Sequence, residues 1–342
     1  MSKQIAFCAD GTWDGAGANT NVYKIFKAML QIPGGQIAYY DDGVGADGLP
    51  LERLEGGALG QGLFQKIKDG YTHIADVYEA GDEIFLVGFS RGAYTARSLA
   101  GMIAICGLPL RPHDSRLVDT AFAGYRSRGQ REMLLDSLAS YEMYDAQITM
   151  VGVWDTVGSL GIPAICGGVD PLIYGFLDTG LHGDVKNAFH AVAIDERRRE
   201  FSAALWTSAP TAGQTLEQVY FCGSHGDVGG VYANDPATGT ALSDLTLSWM
   251  MNRANRLGLQ LSPEVLARYP SPMEAKYALD SWHTEWNPLW LFPESRTIDG
   301  RATLANSVEV RCAEDELYRP RNLSLIGGLP GSSYGTANVV SR

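Results

Sequence analysis

Short apolar runs without polar alternation recur along the chain, and each ends in a loop rich in Gly, Asp or Ser. They are IAFCA (5–9), IAYY (37–40), IFLVGF (84–89), ITMVGVW (148–154) and VYFCG (219–223). Runs this apolar suit strands buried on both faces of a parallel sheet. Between them lie segments with helical spacing. Residues 19–30 open on Asn19-Thr20-Asn21, a capping cluster, and carry Val22, Ile25, Phe26 and Met29 on one stripe. In 91–106, Ala96, Leu99, Ala100 and Ile103 fall at i, i+3, i+4 and i+7, among small residues that permit close packing on a sheet. A third pattern is capped by Ser243, carries Leu247, Met250, Met251 and Ala254, and is ended by Gly258. Strand alternating with helix predicts an α/β fold, with a mostly parallel central sheet flanked by helices.

Two regions fit this alternation poorly. Residues 41–62 are glycine-rich and read as a long loop, and residues 268–342 are rich in Pro, Trp and Gly with weak periodicity. The expectation is one α/β-hydrolase-like domain over 1–342. Its core covers about 1–260, and 261–342 forms a cap or an irregular C-terminal layer.

Composition narrows the function classes. The 342 residues are 45% hydrophobic and 19% charged, as in a soluble globular enzyme. Thirty-nine acids against 27 bases leave a formal charge of −12, which repels phosphate backbones and excludes nucleic acid as a natural partner. The same charge gives no attraction to anionic bilayers, so any peripheral membrane contact must be apolar. Cys8, Cys106, Cys166, Cys222 and Cys312 are scattered without CxxC spacing, the pattern of buried reduced thiols. The N-terminal MSKQIAFCAD is too short in apolar residues for a signal-peptide core, and no stretch approaches the ~18 apolar residues of a membrane span. A soluble cytoplasmic chain is expected, with signal-less export by a secretion machine compatible with it.

The strongest chemical signal is Gly88-Phe89-Ser90-Arg91-Gly92, a G-x-S-x-G that follows an apolar run and opens a helical pattern. In that context the serine sits on a sharp strand-to-helix turn, and glycines make room for the turn. The helix N-terminus beneath it favours a developing oxyanion. A serine needs a base, and the base needs an orienting acid. ITMVGVW ends in Asp155 and VYFCG leads to His225, in the chain order Ser, acid, His, on the sheet edge where such sites form. Ser90 is thus the expected nucleophile, Asp155 the orienter and His225 the base. The Arg91 N–H is the expected oxyanion donor, joined by Gly11 or Thr12 from the loop after the first strand.

Competing residues differ from these in position. His190 in AFHAVAIDERR reads as lying within or at the end of a helix, away from any post-strand loop. His73, His113 and His182 read as surface or structural residues. Asp227, two residues from His225, can cap the glycine turn, and Asp195 beside Arg197-Arg198-Arg199 reads as an ion-pair member. Asp10, Asp155, His225 and Asp227 converging on one edge could instead hold Mn or Mg, although that leaves the serine elbow without a purpose. Trp282, Trp286 and Trp290 lie within nine residues and suit either a lipid-facing lip or core packing.

DGTWD, NTNV, GFSRGAYTAR, VWDTVGSLG, AIDERR and SHGDVGG followed by LSDLTLSWM occur here in that order, from about residue 5 to about 260. In these motifs the chain resembles the phospholipase-effector family of type VI secretion, whose catalytic domain was long catalogued as one of unknown function. The resemblance implies an α/β-hydrolase fold and a Ser-Asp-His triad falling on Ser90, Asp155 and His225. It also implies a phospholipid substrate and a secretion-system or immunity partner. Members commonly show HSDVGGGY, where this chain has HGDVGGVY, with Gly226 and Val231 at the differing positions. The expected activity is hydrolysis of carboxylic esters of lipids through an acyl-enzyme, with no cofactor and no metal. A non-catalytic binding protein of the same fold and a metal-dependent phosphoesterase are the alternative classes.

Overall fold

The computed structural model describes residues 2–11, 19–43, 57–111, 114–127, 129–157, 179–236, 238–286 and 292–341. Among them, eight strands build one parallel sheet. These are β1 (Gln4–Ala9), β2 (Gln36–Asp41), β3 (Glu83–Phe89) and β4 (Ile148–Trp154), then β5 (Asn187–Ala193), β6 (Thr215–Phe221), β7 (Thr303–Ala305) and β8 (Gly335–Ala337). Their spatial order is β2-β1-β3-β4-β5-β6-β7-β8, each pair in parallel register. The order reverses direction between β1 and β3. Crossovers on opposite faces diverge there and leave a crevice at the strands' C-terminal ends.

Helices cover both faces. The described ones are α1 (Asn21–Ala28), α2 (Gly57–Val77), α3 (Ser90–Cys106), α4 (Ser115–Arg126) and α5 (Arg131–Leu138). After the sheet centre come α6 (His225–Gly229), α7 (Leu242–Arg256), α8 (Pro263–Arg268) and α9 (Asn306–Glu314). Alternate residues of each strand feed different cores. Ile5, Phe7, Ala9, Ile84 and Leu86 pack under α2, α3 and α4. Ala6, Cys8, Phe85, Val87 and Phe89 pack under α1, α7 and α9. Burial on both sides is why these strands are apolar without alternation.

Three expectations change. AFHAVA is strand β5 at the sheet centre, not a helix end, because burial between two strands overrides the helix preference of its alanines. Ser243 lies inside α7, whose cap is Ala241, and the Asp244 carboxylate takes the Ala241 N–H at 3.2 Å. The region after 268 contributes β7, β8 and α9 to the sheet and its cover. Strands of three residues are too short to register as a period. Within 41–62, α2 begins at Gly57, and residues 44–56 lie outside the described ones.

The turn into α3 needs its two glycines. A Cβ on Gly92 would stand 2.0 Å from the Ala9 carbonyl oxygen, and one on Gly88 would stand 2.4 Å from the Gly92 oxygen. The first turn of α3 therefore rests on the backbone at the end of β1. Gly92→Ala should lower stability by about 3 kcal/mol, since neither clashing group is a side chain that can turn away. Denaturant unfolding reads this directly, and a variant within 1 kcal/mol of the parent would contradict the packing (an order-of-magnitude bound).

Candidate active site

Side chains from the ends of β3, β4 and β6 meet over the C-terminal edge of the sheet. Ser90, the first residue of α3, has φ 57°, and Asp155, just after β4, has φ 40°. Both lie in the left-handed region that side chains tolerate poorly, so the surrounding packing must hold them. His225 opens α6 after β6. Its Nε2 is 2.9 Å from Ser90 Oγ, and its Nδ1 is 2.6 Å from Asp155 Oδ2. All three residues are buried. The imidazole packs against Phe89, with ring centres 4.6 Å apart, and against Phe201 in an edge arrangement at 5.0 Å.

Asp155 has a second partner. Arg296 donates from Nη1 to Oδ1 at 2.6 Å and from Nη2 to Oδ2 at 2.8 Å, while the Ala193 N–H donates to Oδ1 at 2.9 Å. The guanidinium also donates to the carbonyls of Ala193 and Phe201. Burial pushes the Asp155 pKa up, but the Arg296 charge and the His225 contact outweigh it and hold the carboxyl well below the usual carboxylate range. A depressed folded-state pKa contributes stability above the ordinary aspartate value, and that contribution is lost as pH falls below it.

A second layer holds the helix that carries His225. Glu196 accepts from the backbone N–H groups of Arg197 and Arg198 at 2.9 and 2.7 Å, pairs with the Arg198 guanidinium, and takes the His225 N–H at 3.3 Å. Glu285 accepts from the Gly226 N–H at 2.7 Å and the Tyr232 hydroxyl at 2.8 Å, and it also pairs with Arg198. A Cβ on Gly226 would fall 2.4 Å from Glu285 Oε1 and 2.5 Å from Val231 Cγ2. The two positions where this chain departs from HSDVGGGY therefore touch. Glu285, Val231 and Tyr232 together occupy the space that a side chain at 226 would need.

The other sequence candidates have separate roles. His190 lies in β5, fully buried, and its Nε2 accepts the Thr156 N–H at 3.1 Å. Burial, with Arg97 nearby, lowers its pKa to about 3, so it stays neutral. Asp227 caps α6 by accepting from Ser224 N at 2.9 Å, and it also holds the His283 ring at 2.7 Å. Asp195 takes the Gly223 N–H at 2.7 Å and the Tyr318 hydroxyl at 2.8 Å, whereas the arginine run is served by Glu196. Asp10 takes the hydroxyls of Thr20 and Tyr40 and the Gly11 N–H at 2.9 Å. Each of these carboxylates is occupied by its own donors, and among the described residues no group of three or more His, Cys, Asp or Glu is arranged to hold a metal ion. Arg91 is buried at the start of α3 and Gly11 at the end of β1. Thr12, His113, Cys166 and Trp290 lie outside the described residues. Trp282 packs edge-on against Tyr318 at 5.9 Å, and Phe292 is 85% exposed. No described helix is long and apolar enough to cross a membrane.

Arg296, Glu196 and Glu285 are absent from the sequence reading. A buried acid implies a buried cation, but nothing in the spacing of the arginines says which one answers it.

Asp10 behaves oppositely to Asp155. Burial raises its pKa to about 6, against the lowering effect of Thr20, Tyr40 and Gly11. A raised carboxyl pKa makes the folded state lose stability as pH climbs from the ordinary value near 3.8 to about 6. Asp10→Asn removes that loss. Its stability relative to the parent should improve by on the order of 2 kcal/mol between pH 3.5 and pH 7. Urea unfolding at the two pH values measures the difference, and a pH-independent difference would contradict it.

Comparison with known proteins gives the site a family. The family described as T6SS, phospholipase effector Tle1-like, catalytic domain matches residues 3–253. A Saccharomyces cerevisiae protein named "Uncharacterized protein YEL023C" is 30% identical over 245 residues, which are 64% of this chain and only 35% of the yeast protein. The crystal structure of an uncharacterized protein from Pseudomonas aeruginosa shares the fold with TM-score 0.52 at 17% identity, over 78% of this chain and 48% of that one. A structure of the Tle1 effector bound to the VgrG spike of the type 6 secretion system aligns with TM-score 0.43 at 14% identity, over 79% and 76% of the two chains. With the family's model covering residues 3–253, the chain belongs to the family of Tle1-like phospholipase effector catalytic domains.

Proposed function

We propose that this protein hydrolyses carboxylic esters of lipids, phospholipids foremost, through an acyl-enzyme formed on Ser90. The observation that carries the reading is the continuous hydrogen-bond chain from Ser90 Oγ through the two nitrogens of His225 to Asp155. His225 Nε2 takes the Ser90 proton as Oγ attacks the ester carbonyl, and it then hands that proton to the departing alcohol oxygen. Water repeats the sequence on the acyl-serine and releases the acid. Asp155 fixes the tautomer that carries hydrogen on Nδ1. The Arg91 N–H, in the first turn of α3 directly after Ser90, serves the oxyanion. A second donor comes from the loop after β1. Gly11 can supply it only if its N–H leaves Asp10, and Thr12 is the alternative.

The lipid half of the reading rests on the family, and the exposed Phe292 is consistent with apolar contact at a bilayer surface. One set of variants tests both halves, using phosphatidylcholine liposomes and soluble p-nitrophenyl butyrate. Ser90→Ala and His225→Ala should each abolish hydrolysis of both, Asp155→Asn should reduce it by up to ~10⁴-fold, and the parent should prefer the liposomes. His190→Ala should retain far more activity than His225→Ala. Turnover by folded Ser90→Ala would defeat the acyl-enzyme. A parent preference for the soluble ester would defeat the lipid substrate alone.

A further inference from the structure

The acid of a Ser-His-Asp chain works through its charge, because the imidazolium formed during the reaction is stabilised by it. In this protein both oxygens of that acid are already bridged by a guanidinium. Arg296 forks onto Oδ1 and Oδ2 of Asp155 at 2.6 and 2.8 Å, and its side chain is only 8% exposed. It comes from the segment after residue 280, beyond the matched 3–253. Resting on the serine-hydrolase reading above, we infer that Arg296 is a positioning residue that completes the base assembly from outside the family domain, by holding the Asp155 carboxylate in plane against His225 and offsetting its charge.

Two physical effects follow from the fork. Two parallel N–H···O bonds lock the plane of the carboxylate, so that Oδ2 stays aimed at His225 Nδ1 despite the positive φ of Asp155. The guanidinium also offsets the carboxylate charge at close range, which leaves the protonated imidazole less stabilised than an unpaired aspartate would leave it.

The other groups around the ring are fixed. Glu196 lies at the His225 N–H, and Arg198 stacks over Phe201, which touches the imidazole edge-on. Glu285 binds the next backbone N–H, and Asp227 on α6 is turned to His283. Tyr220 on β6 feels both Arg296 and Asp155. Of the cations in this set, Arg296 alone is hydrogen-bonded to the acid that holds the ring.

Removing its charge should therefore favour the protonated imidazole, and the base must be neutral to act. For p-nitrophenyl butyrate, the acid limb of kcat/KM in Arg296→Gln should move up by about one pH unit. That amounts to about tenfold less activity on the limb, with a smaller deficit on the alkaline plateau. Arg296→Lys keeps the charge but not the fork. Its limb should stay in place while the plateau kcat falls several-fold.

A lowered Tm in Arg296→Gln with an unmoved limb would reduce Arg296 to a structural residue and overturn the inference. If Arg296→Gln does not fold, Arg296→Lys decides alone. An unmoved limb with a reduced plateau supports the inference, whereas a shifted limb, or limb and plateau both unchanged, overturns it. Ser90→Ala in the same assay separates the two readings. Turnover surviving in Ser90→Ala defeats the serine reading and the role of Arg296 together, while an unmoved limb in Arg296→Gln beside an inactive Ser90→Ala defeats the role of Arg296 alone.

Discussion

A carboxylate buried without solvent must be met by charge and hydrogen bonds, and the arrangement around Asp155 satisfies that demand from three other parts of the chain. The donors are the Arg296 fork, the Ala193 N–H and the ring of His225. Losing one partner of a buried pair of this kind costs about 3–5 kcal/mol, because the remaining charge is left unanswered. The end of β4, the end of β5, helix α6 and the segment after residue 280 are thus tied to one group. The same group is hydrogen-bonded to His225, so in the proposed reaction stability and chemistry meet at this point.

The sheet decides where that group sits. Strand order reverses between β1 and β3, and the chain leaves β3 through a turn so tight that Gly92 lies against the β1 backbone. Ser90 is held in the left-handed region by that turn, as the first residue of α3. β4 and β6 then deliver the acid and the histidine to the same edge. Because β5 lies between them, His190 is near the site but is spent on the Thr156 N–H, neutral and enclosed.

The parallel sheet and the serine elbow were legible because both rest on local signals: unbroken apolar runs and glycines at fixed offsets. Strand β5 was misread since AFHAVA has the composition of a helix, and only its burial between β4 and β6 makes it a strand. β7 and β8 are too short to leave a period. Arg296 and Glu285 stand far along the chain from the groups they bind, at separations of 141 residues from Asp155 and 59 from Gly226. Pairings that distant have no local signature. The crowding of Gly226 by Glu285, Val231 and Tyr232 shows the same limit, since it is evident only once the side chains share a space.

The account stands on Ser90 being a nucleophile activated by His225. Reaction with a fluorophosphonate followed by peptide mass mapping measures this most directly, because the reagent forms a stable bond only with an activated serine. The account predicts one adduct per chain, on the peptide carrying Ser90, which is lost in folded His225→Ala. Full-length protein that stays unlabelled, or that is labelled at another serine while Ser90 remains free, would contradict it.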